Sequence, residues 1–162
     1  MYIYEPIYKE DRTIALSSKK IVTPYDDVTF TYAGEAADIV TKIAKKVIKL
    51  QSKREEHLYV FFIDKKSSVV GFSELSHGNQ HSTDFGAKEI ILRTVLTGTP
   101  SIILAHNHPS YNFHPSNIDL KRTAEINKAM NLVDITLLDH IIIASTGKTW
   151  SMKQESPQVF WK

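Results

Sequence analysis

Residues 102–110 read Ile-Ile-Leu-Ala-His-Asn-His-Pro-Ser. The apolar residues 102–105 are typical of a short buried β-strand, and His106 and His108 follow them directly. Because residues two apart on a strand project to the same side, both imidazole rings can reach one metal ion. Asn107 then projects to the opposite side, and we predict a structural role for it.

A helix start follows this strand at Pro115 and Ser116. Ser116 suits the N-cap position, and Asp119 then lies in the first helical turn with its carboxylate facing the strand end. His106, His108 and Asp119 would leave a fourth position for water, which is the ligand count of a catalytic zinc site. The same Ser-x-x-Asp spacing is close to a capping box, so both residues could serve only to cap the helix.

The composition fits one domain that holds any metal without cysteine. With 162 residues, 42% of them hydrophobic, the chain can bury one sizeable core. It contains no cysteine, so a zinc site must use histidine and carboxylate ligands. The sequence has no apolar run of about 18 residues and no signal-peptide pattern, so we expect a cytoplasmic protein with no membrane partner.

The spacing His106-x-His108 with Ser116-x-x-Asp119 resembles the JAMM signature of JAB/MPN-type zinc metallohydrolases. The resemblance implies a JAB/MPN-like α/β fold, similar to that of cytidine deaminases, in which a twisted mixed sheet is flanked by helices. It also implies that His106, His108 and Asp119 bind Zn²⁺ as cofactor. Ser116 would then donate to the oxyanion that forms during catalysis.

The surrounding sequence is similar to the bacterial RadC family in particular, over about two-thirds of the chain. It departs from that family at Tyr111, where glycine is usual, and at residues 85–89, where Phe-Gly-Ala-Lys-Glu replaces Val-His-Pro-Arg-Glu. We also expect no room for the helix-hairpin-helix DNA-binding region that precedes the domain in full-length RadC proteins. The similar stretches are residues 56–64, 88–90, 102–110 and 137–143.

The resemblance places the general base of the reaction at a glutamate just before the central strand. Glu56 precedes that strand directly and is the predicted base, and Glu55, which would point the opposite way, is the alternative. Glu74 and Glu89 are further candidates, although Glu89 lies in an early helical turn where a negative charge suits the helix dipole. A glutamate at any of these positions could also be a solvated surface charge.

Two more histidines follow the motif. His114 is either a solvated loop residue or a flank of the substrate groove. His140 follows Asp139, and we predict that it is a hydrogen-bonded core residue. Neither histidine is predicted to bind the metal.

We therefore expect a zinc-dependent hydrolase of amide, peptide or isopeptide bonds, acting on a peptide or protein-conjugate substrate. Zinc would lower the pKa of its bound water to about 7 and polarise the carbonyl, while the base takes the proton and returns it to the leaving amine. The alternative is a DNA-associated accessory module, in repair or in a mobile element, whose zinc site is structural or vestigial. Its phosphate contacts would be Lys42, Lys45, Lys46, Lys49, Lys53 and Arg54, although the formal net charge is only +2 and such a stretch is more often a solvated helix face.

The predicted elements follow an α/β order. We assign residues 1–33 to short strands or an extended arm, residues 34–155 to a RadC-like JAB/MPN metallohydrolase domain and residues 156–162 to a C-terminal tail. Apolar spacing and turn signals predict helices at residues 34–53, 87–96 and 116–130, strands at residues 58–63, 69–75, 102–105, 135–144 and 149–152, and a loop at residues 76–84.

Overall fold

The chain is built on one mixed sheet. This computed structural model describes residues 1–78 and 86–160, and within them seven strands and four α-helices follow one another. The strands are β1 (Tyr2–Tyr8), β2 (Ile14–Lys20), β3 (Glu56–Ile63), β4 (Val69–Gly78), β5 (Ser101–His108), β6 (Thr136–Ala144) and β7 (Thr149–Ser151). The helices are α1 (Ala33–Lys46), α2 (Ala87–Thr97), α3 (Asn117–Asn131) and α4 (Met152–Glu155), and two 3-10 turns lie at Leu50–Ser52 and Pro157–Phe160.

The strands lie in the order β2-β1-β4-β3-β5-β6-β7. β1 pairs in parallel with β4 and β5 in parallel with β6, and the other neighbouring strands are antiparallel. The chain crosses from β5 to β6 through α3, as a parallel connection requires. α1 packs on one face of the sheet, and α2 and α3 pack on the other. The predicted mixed sheet flanked by helices is therefore confirmed.

The central strand β3 is buried on both faces, as its continuous apolar run predicts. Tyr59 and Phe61 pack toward α1, whereas Leu58 and Val60 pack toward α2 and α3. The side chains of the neighbouring strand β5 alternate between the two faces in the same way. The polar residues at the end of β5 continue this alternation.

The first helix is shorter than predicted. Its apolar residues Ile39, Val40, Ile43 and Ala44 are buried, but the helix ends at Lys46 instead of continuing to residue 53. Lys49 adopts a left-handed backbone conformation with φ 57°, and the following 3-10 turn places Leu50 in the core with no exposed surface. Burial of Leu50 therefore outweighs continued helical spacing. None of the helices in the described ranges is long and apolar enough to cross a membrane.

Several strand boundaries also differ from the prediction. β4 continues to Gly78 because its end pairs with the start of β3, so the prediction of a loop at residues 76–78 is wrong. The rest of that predicted loop, residues 79–84, lies outside the described residues, as do Phe85 and residues 161–162 of the predicted tail. β5 extends to His108 because it pairs with β6 along its length. β7 ends at Ser151, and Met152 begins α4.

The two ends of the described chain pack against the rest of the fold. β1 and β2 form an antiparallel hairpin, and Tyr2 and Ile3 pair with β4. The approach is so close at Gly71 that a Cβ atom there would lie 2.3 Å from the backbone oxygen of Tyr2, which only glycine permits. At the other end, Phe160 is buried in the cluster that includes α3.

Asn107 joins β5 to the segment that leads into β3. Its side chain is fully buried, and Oδ1 accepts a hydrogen bond of 2.8 Å from the His57 backbone N–H. Its Nδ2 group donates to the carbonyl oxygens of Glu55 at 2.9 Å and Lys53 at 3.3 Å. The predicted structural role of Asn107 is confirmed, and these bonds fix the backbone on both sides of Glu56.

Replacing Asn107 with alanine is expected to lower the free energy of unfolding by about 1–3 kcal/mol, because buried backbone groups lose their partners. Urea denaturation followed by circular dichroism would measure the loss. The matched control is Asn117→Ala, at an exposed position at the start of α3, which should change stability by less than about 0.5 kcal/mol. Equal stabilities for the two variants would contradict the structural role of the Asn107 hydrogen bonds.

Candidate metal centre

The rings of His106 and His108 lie on the same side of β5, as strand alternation predicts. Both residues are buried, and their Nε2 atoms lie 3.0 Å apart. In each ring the other nitrogen, Nδ1, has a partner of its own. His106 Nδ1 lies 2.8 Å from His140 Nε2, and His108 Nδ1 lies 3.1 Å from the backbone oxygen of Asn112. Both Nε2 atoms therefore face the same point.

Asp119 completes this group from the first turn of α3. Its Oδ1 atom lies 3.6 Å from His106 Nε2, and its Oδ2 atom lies 3.5 Å from His108 Nε2. The three side chains form a group that could hold a metal ion. A tetrahedron with bonds of about 2.0–2.1 Å has edges of roughly 3.3 Å, so these donor separations fit a zinc ion.

The capping box at the start of α3 is present in full. Ser116 Oγ accepts a hydrogen bond from the Asp119 backbone N–H at 3.1 Å, and Asp119 Oδ2 accepts from the Ser116 backbone N–H at 2.8 Å. The Ser116 hydroxyl also donates to Asp119 Oδ2, at 2.6 Å. Capping and metal binding are therefore compatible, because the cap holds Oδ2 and turns Oδ1 toward His106.

The ionisation of His106 and Asp119 suits a metal ion. Burial lowers the pKa of His106 to about 4, although the charge of Asp119 opposes this shift. Burial would raise the pKa of Asp119, but its hydrogen bonds and the nearby imidazoles hold it well below the usual range. Burial also acts to lower the pKa of His108, and Asp119 reverses this effect so that the net shift is upward. An ionised carboxylate and a neutral imidazole are the protonation states in which these groups bind metal.

His140 supports His106 in a way that the sequence analysis missed. Its Nδ1 atom lies 2.7 Å from Thr123 Oγ1, and the Thr123 hydroxyl donates to the Asp119 backbone oxygen at 2.7 Å. When that hydroxyl gives its one proton to the Asp119 backbone oxygen, His140 Nδ1 donates to it and His140 Nε2 accepts from His106 Nδ1. This chain leaves the lone pair of His106 Nε2 directed toward Asp119, which is the arrangement a metal ligand needs.

His140 is a buried, hydrogen-bonded core residue, as predicted. Burial, reinforced by the nearby His106, lowers its pKa well below the ordinary value, so its ring is neutral. The role of Thr123 could have been inferred from the helical period, because it lies one turn after Asp119 and therefore on the same side of α3. The contact between His140 and His106 depends on the pairing of β5 with β6, on which the sequence motif carries no information.

A cavity opens beside His106 and Asp119. Its apolar wall is formed by Leu58, Ile118 and Ile126, and its polar residues include Glu56 and Arg122. Glu56 is the first residue of β3 and is half-buried, and its charge contributes to the raised pKa of His108. The structure thus brings Glu56 to the same cavity as His106 and Asp119.

The other candidate bases do not line this cavity. Glu55 is exposed, and its described contact is the backbone bond to Asn107. Glu74 contacts His57 on the opposite face of the sheet, and Glu89 lies in the first turn of α2, where its charge acts on Arg93.

His114 is not among the residues that line the cavity. It is exposed, and its ring packs on Phe113, with centroids 4.4 Å apart, and on Trp150, with centroids 4.6 Å apart. Its predicted place beside a substrate groove remains a prediction.

Comparison with known proteins identifies the family. A model of the RadC-like JAB domain matches residues 35–157. A UPF0758 protein of Clostridium acetobutylicum is 36% identical over 136 residues, which cover 84% of this chain and 56% of that protein. A UPF0758 protein of Pseudomonas fluorescens is 31% identical over 115 residues, covering 70% of this chain and 51% of the relative. This chain spans about half the length of these relatives. The match over most of the chain shows that it belongs to the RadC-like JAB domain family.

Proposed function

We propose that this protein is a zinc-dependent hydrolase of amide, peptide or isopeptide bonds. The observation that supports the proposal is the spacing of the two imidazole nitrogens and the Asp119 carboxylate, between 3.0 and 3.6 Å apart, beside a cavity that also contains Glu56. His106, His108 and Asp119 would hold the metal. Zinc, when bound, supplies a Lewis acid that polarises a carbonyl group and makes water a stronger acid.

Glu56 is the proposed general base. Water would add to the carbonyl carbon as Glu56 takes its proton, and the carbon–nitrogen bond would break as Glu56 returns that proton to the leaving amine. The apolar wall beside Glu56 would exclude bulk water and so strengthen the electrostatic interactions of these groups. A peptide or a protein conjugate is the proposed substrate.

Ser116 is the proposed donor to the oxyanion. Its hydroxyl proton is directed at Asp119 Oδ2, at 2.6 Å, and would have to turn toward the substrate as negative charge develops on the carbonyl oxygen. The backbone N–H of Ser116 would continue to hold Asp119 Oδ2 during that rotation, so the ligand need not move.

A nucleic-acid partner receives less support. Lys42 and Lys46 are exposed on α1, whereas Lys49 follows the helix in a left-handed turn. Lys53 Nζ lies 5.9 Å from the centroid of the Tyr59 ring. These cations therefore do not form one continuous helical face.

Replacing His106 with alanine should remove one equivalent of tightly bound zinc per chain, because the remaining ligands cannot complete the site. Mass spectrometry of metal content after dialysis would measure it. His114→Ala is the matched control, since that histidine is exposed and should leave the metal content unchanged. The metal-depleted protein should keep its circular dichroism spectrum, because its core does not need the ion. Equal zinc content in wild type and His106→Ala would refute the proposed centre.

Glu56→Gln should lower turnover by about 100-fold or more at unchanged zinc content, since it removes a positioned base without removing a ligand. Glu55→Gln is the matched control and should retain activity. Turnover would be measured on a substrate found by screening peptide and isopeptide conjugates by mass spectrometry. Loss of activity in Glu55→Gln alone would assign the role of base to that residue.

DNA binding at physiological salt should be no tighter than about 1 μM, the range of non-specific association. Fluorescence anisotropy with labelled single- and double-stranded DNA would measure it. Nanomolar binding that is lost when Lys45, Lys46 and Lys49 are all changed to glutamate, but kept in His106→Ala, would favour the DNA-associated module over the hydrolase.

A further inference from the structure

A second group of potential ligands lies on the opposite face of the sheet. His57 follows Glu56 on β3 and is also one of the residues that line the cavity, but its ring lies on the face that carries Tyr59. Its ring stacks on that of Tyr59, with centroids 6.5 Å apart, and on that of His77, with centroids 5.6 Å apart. Glu74 lies between the two histidines.

A bulge in β4 creates this arrangement. Glu74 and His77 are three residues apart, so a regular strand would point them to opposite faces. The pairing shifts between Leu58 and Tyr59: His77 pairs with His57, and Glu74 pairs with Tyr59. The extra residue restores Glu74 and His77 to one face, which is a recognised use of bulges.

The bulge is supported by a buried guanidinium group. Arg93 on α2 is only 8% exposed, and its Nη1 group donates to the Glu74 backbone oxygen and, at 2.6 Å, to Ser73 Oγ. A carbonyl group next to the irregular pairing is thus satisfied by a charged donor. The conformation that brings Glu74 beside His77 is therefore held by the core and not by the exposed side chains.

The donor atoms converge on one point. Glu74 Oε1 makes a close contact with His57 Nδ1 and lies 3.9 Å from His77 Nδ1. One nitrogen from each histidine and one oxygen of Glu74 lie within 4.8 Å of one another. The His77 side chain is 68% exposed, so an ion can reach the group from solvent.

A buried phenol lies beneath this group. Burial raises the pKa of Tyr59, and the nearby charge of Glu74 raises it further, so the ring stays neutral and close to that carboxylate. Outer groups that contact a ligating carboxylate orient it and tune its affinity for metal.

We propose that His57, Glu74 and His77 form a second binding site for a divalent transition metal of the Zn²⁺ class. Two imidazoles and one carboxylate are ligands typical of zinc, copper and nickel. The ion would replace the direct contact between His57 and Glu74 and would hold β3 and β4 together at the bulge. The site is separate from the proposed hydrolytic centre, because the His57 ring stacks on Tyr59 and Glu74 pairs with Tyr59, whose ring packs on the face that carries α1.

Zinc titration of the metal-depleted full chain tests the proposal. Equilibrium dialysis against Zn²⁺, followed by mass spectrometry of metal content, should give about two equivalents for the wild type and about one for His106→Ala. In the His106→Ala background, His77→Ala and Glu74→Gln should each weaken the remaining site by at least about 10-fold. Loss of even an outer-shell group costs roughly 10–100-fold in affinity, so loss of a ligand should cost no less.

His114→Ala, in the same background, is the matched control and should retain the remaining equivalent at unchanged affinity. Circular dichroism would verify that each variant is folded, which is expected because Glu74 and His77 are exposed. A single equivalent in the wild type that disappears in His106→Ala would overturn the second site alone. Unchanged zinc affinity in either His77→Ala or Glu74→Gln would also overturn it, because both residues are required ligands.

Discussion

The alternation of side chains along β3 and β5 is the constraint on which the rest of this structure depends. Both strands are buried on both faces, so a residue cannot change face without moving apolar side chains out of the core. At their polar ends the same alternation places His106 and His108 on the side of Asp119 and Asn107 on the other side. It also separates Glu56 from His57. Packing of the core therefore determines on which face of the sheet the candidate site residues lie.

Helix capping and the proposed metal site use the same carboxylate. The local rule that places Ser or Asp near a helix start is satisfied through Asp119 Oδ2, while Oδ1 remains directed at His106. A capping box alone would account for Ser116 and Asp119 without any role in metal binding. Here the cap restricts the carboxylate to one orientation, which lowers the entropy that metal binding would otherwise lose.

Much of the fold and the site could be predicted from sequence because the signals are local. The apolar run before His106 and the spacing from Ser116 to Asp119 each define an element and orient its side chains. The end of α1 could not be predicted, since it depends on burial of Leu50 by distant residues. The extension and bulge of β4 depend on pairing with β3, and the contact of His140 with His106 depends on pairing between β5 and β6. In each case the deciding contact is remote in sequence.

The polar chain behind His106 would allow the proposed metal centre to be organised before any ion binds. Each group from the Asp119 backbone oxygen through Thr123 and His140 to His106 has its partner within 2.8 Å, so no buried member is left unsatisfied. A protonated His140 would have no acceptor for its second proton in this arrangement, and the lowered pKa of that ring agrees with its neutral form. With this arrangement of protons, contacts in the core select the neutral tautomer of His106 without an ion. A small zinc domain that folds around its ion differs in this respect, since its ligands have no fixed positions in the absence of the ion.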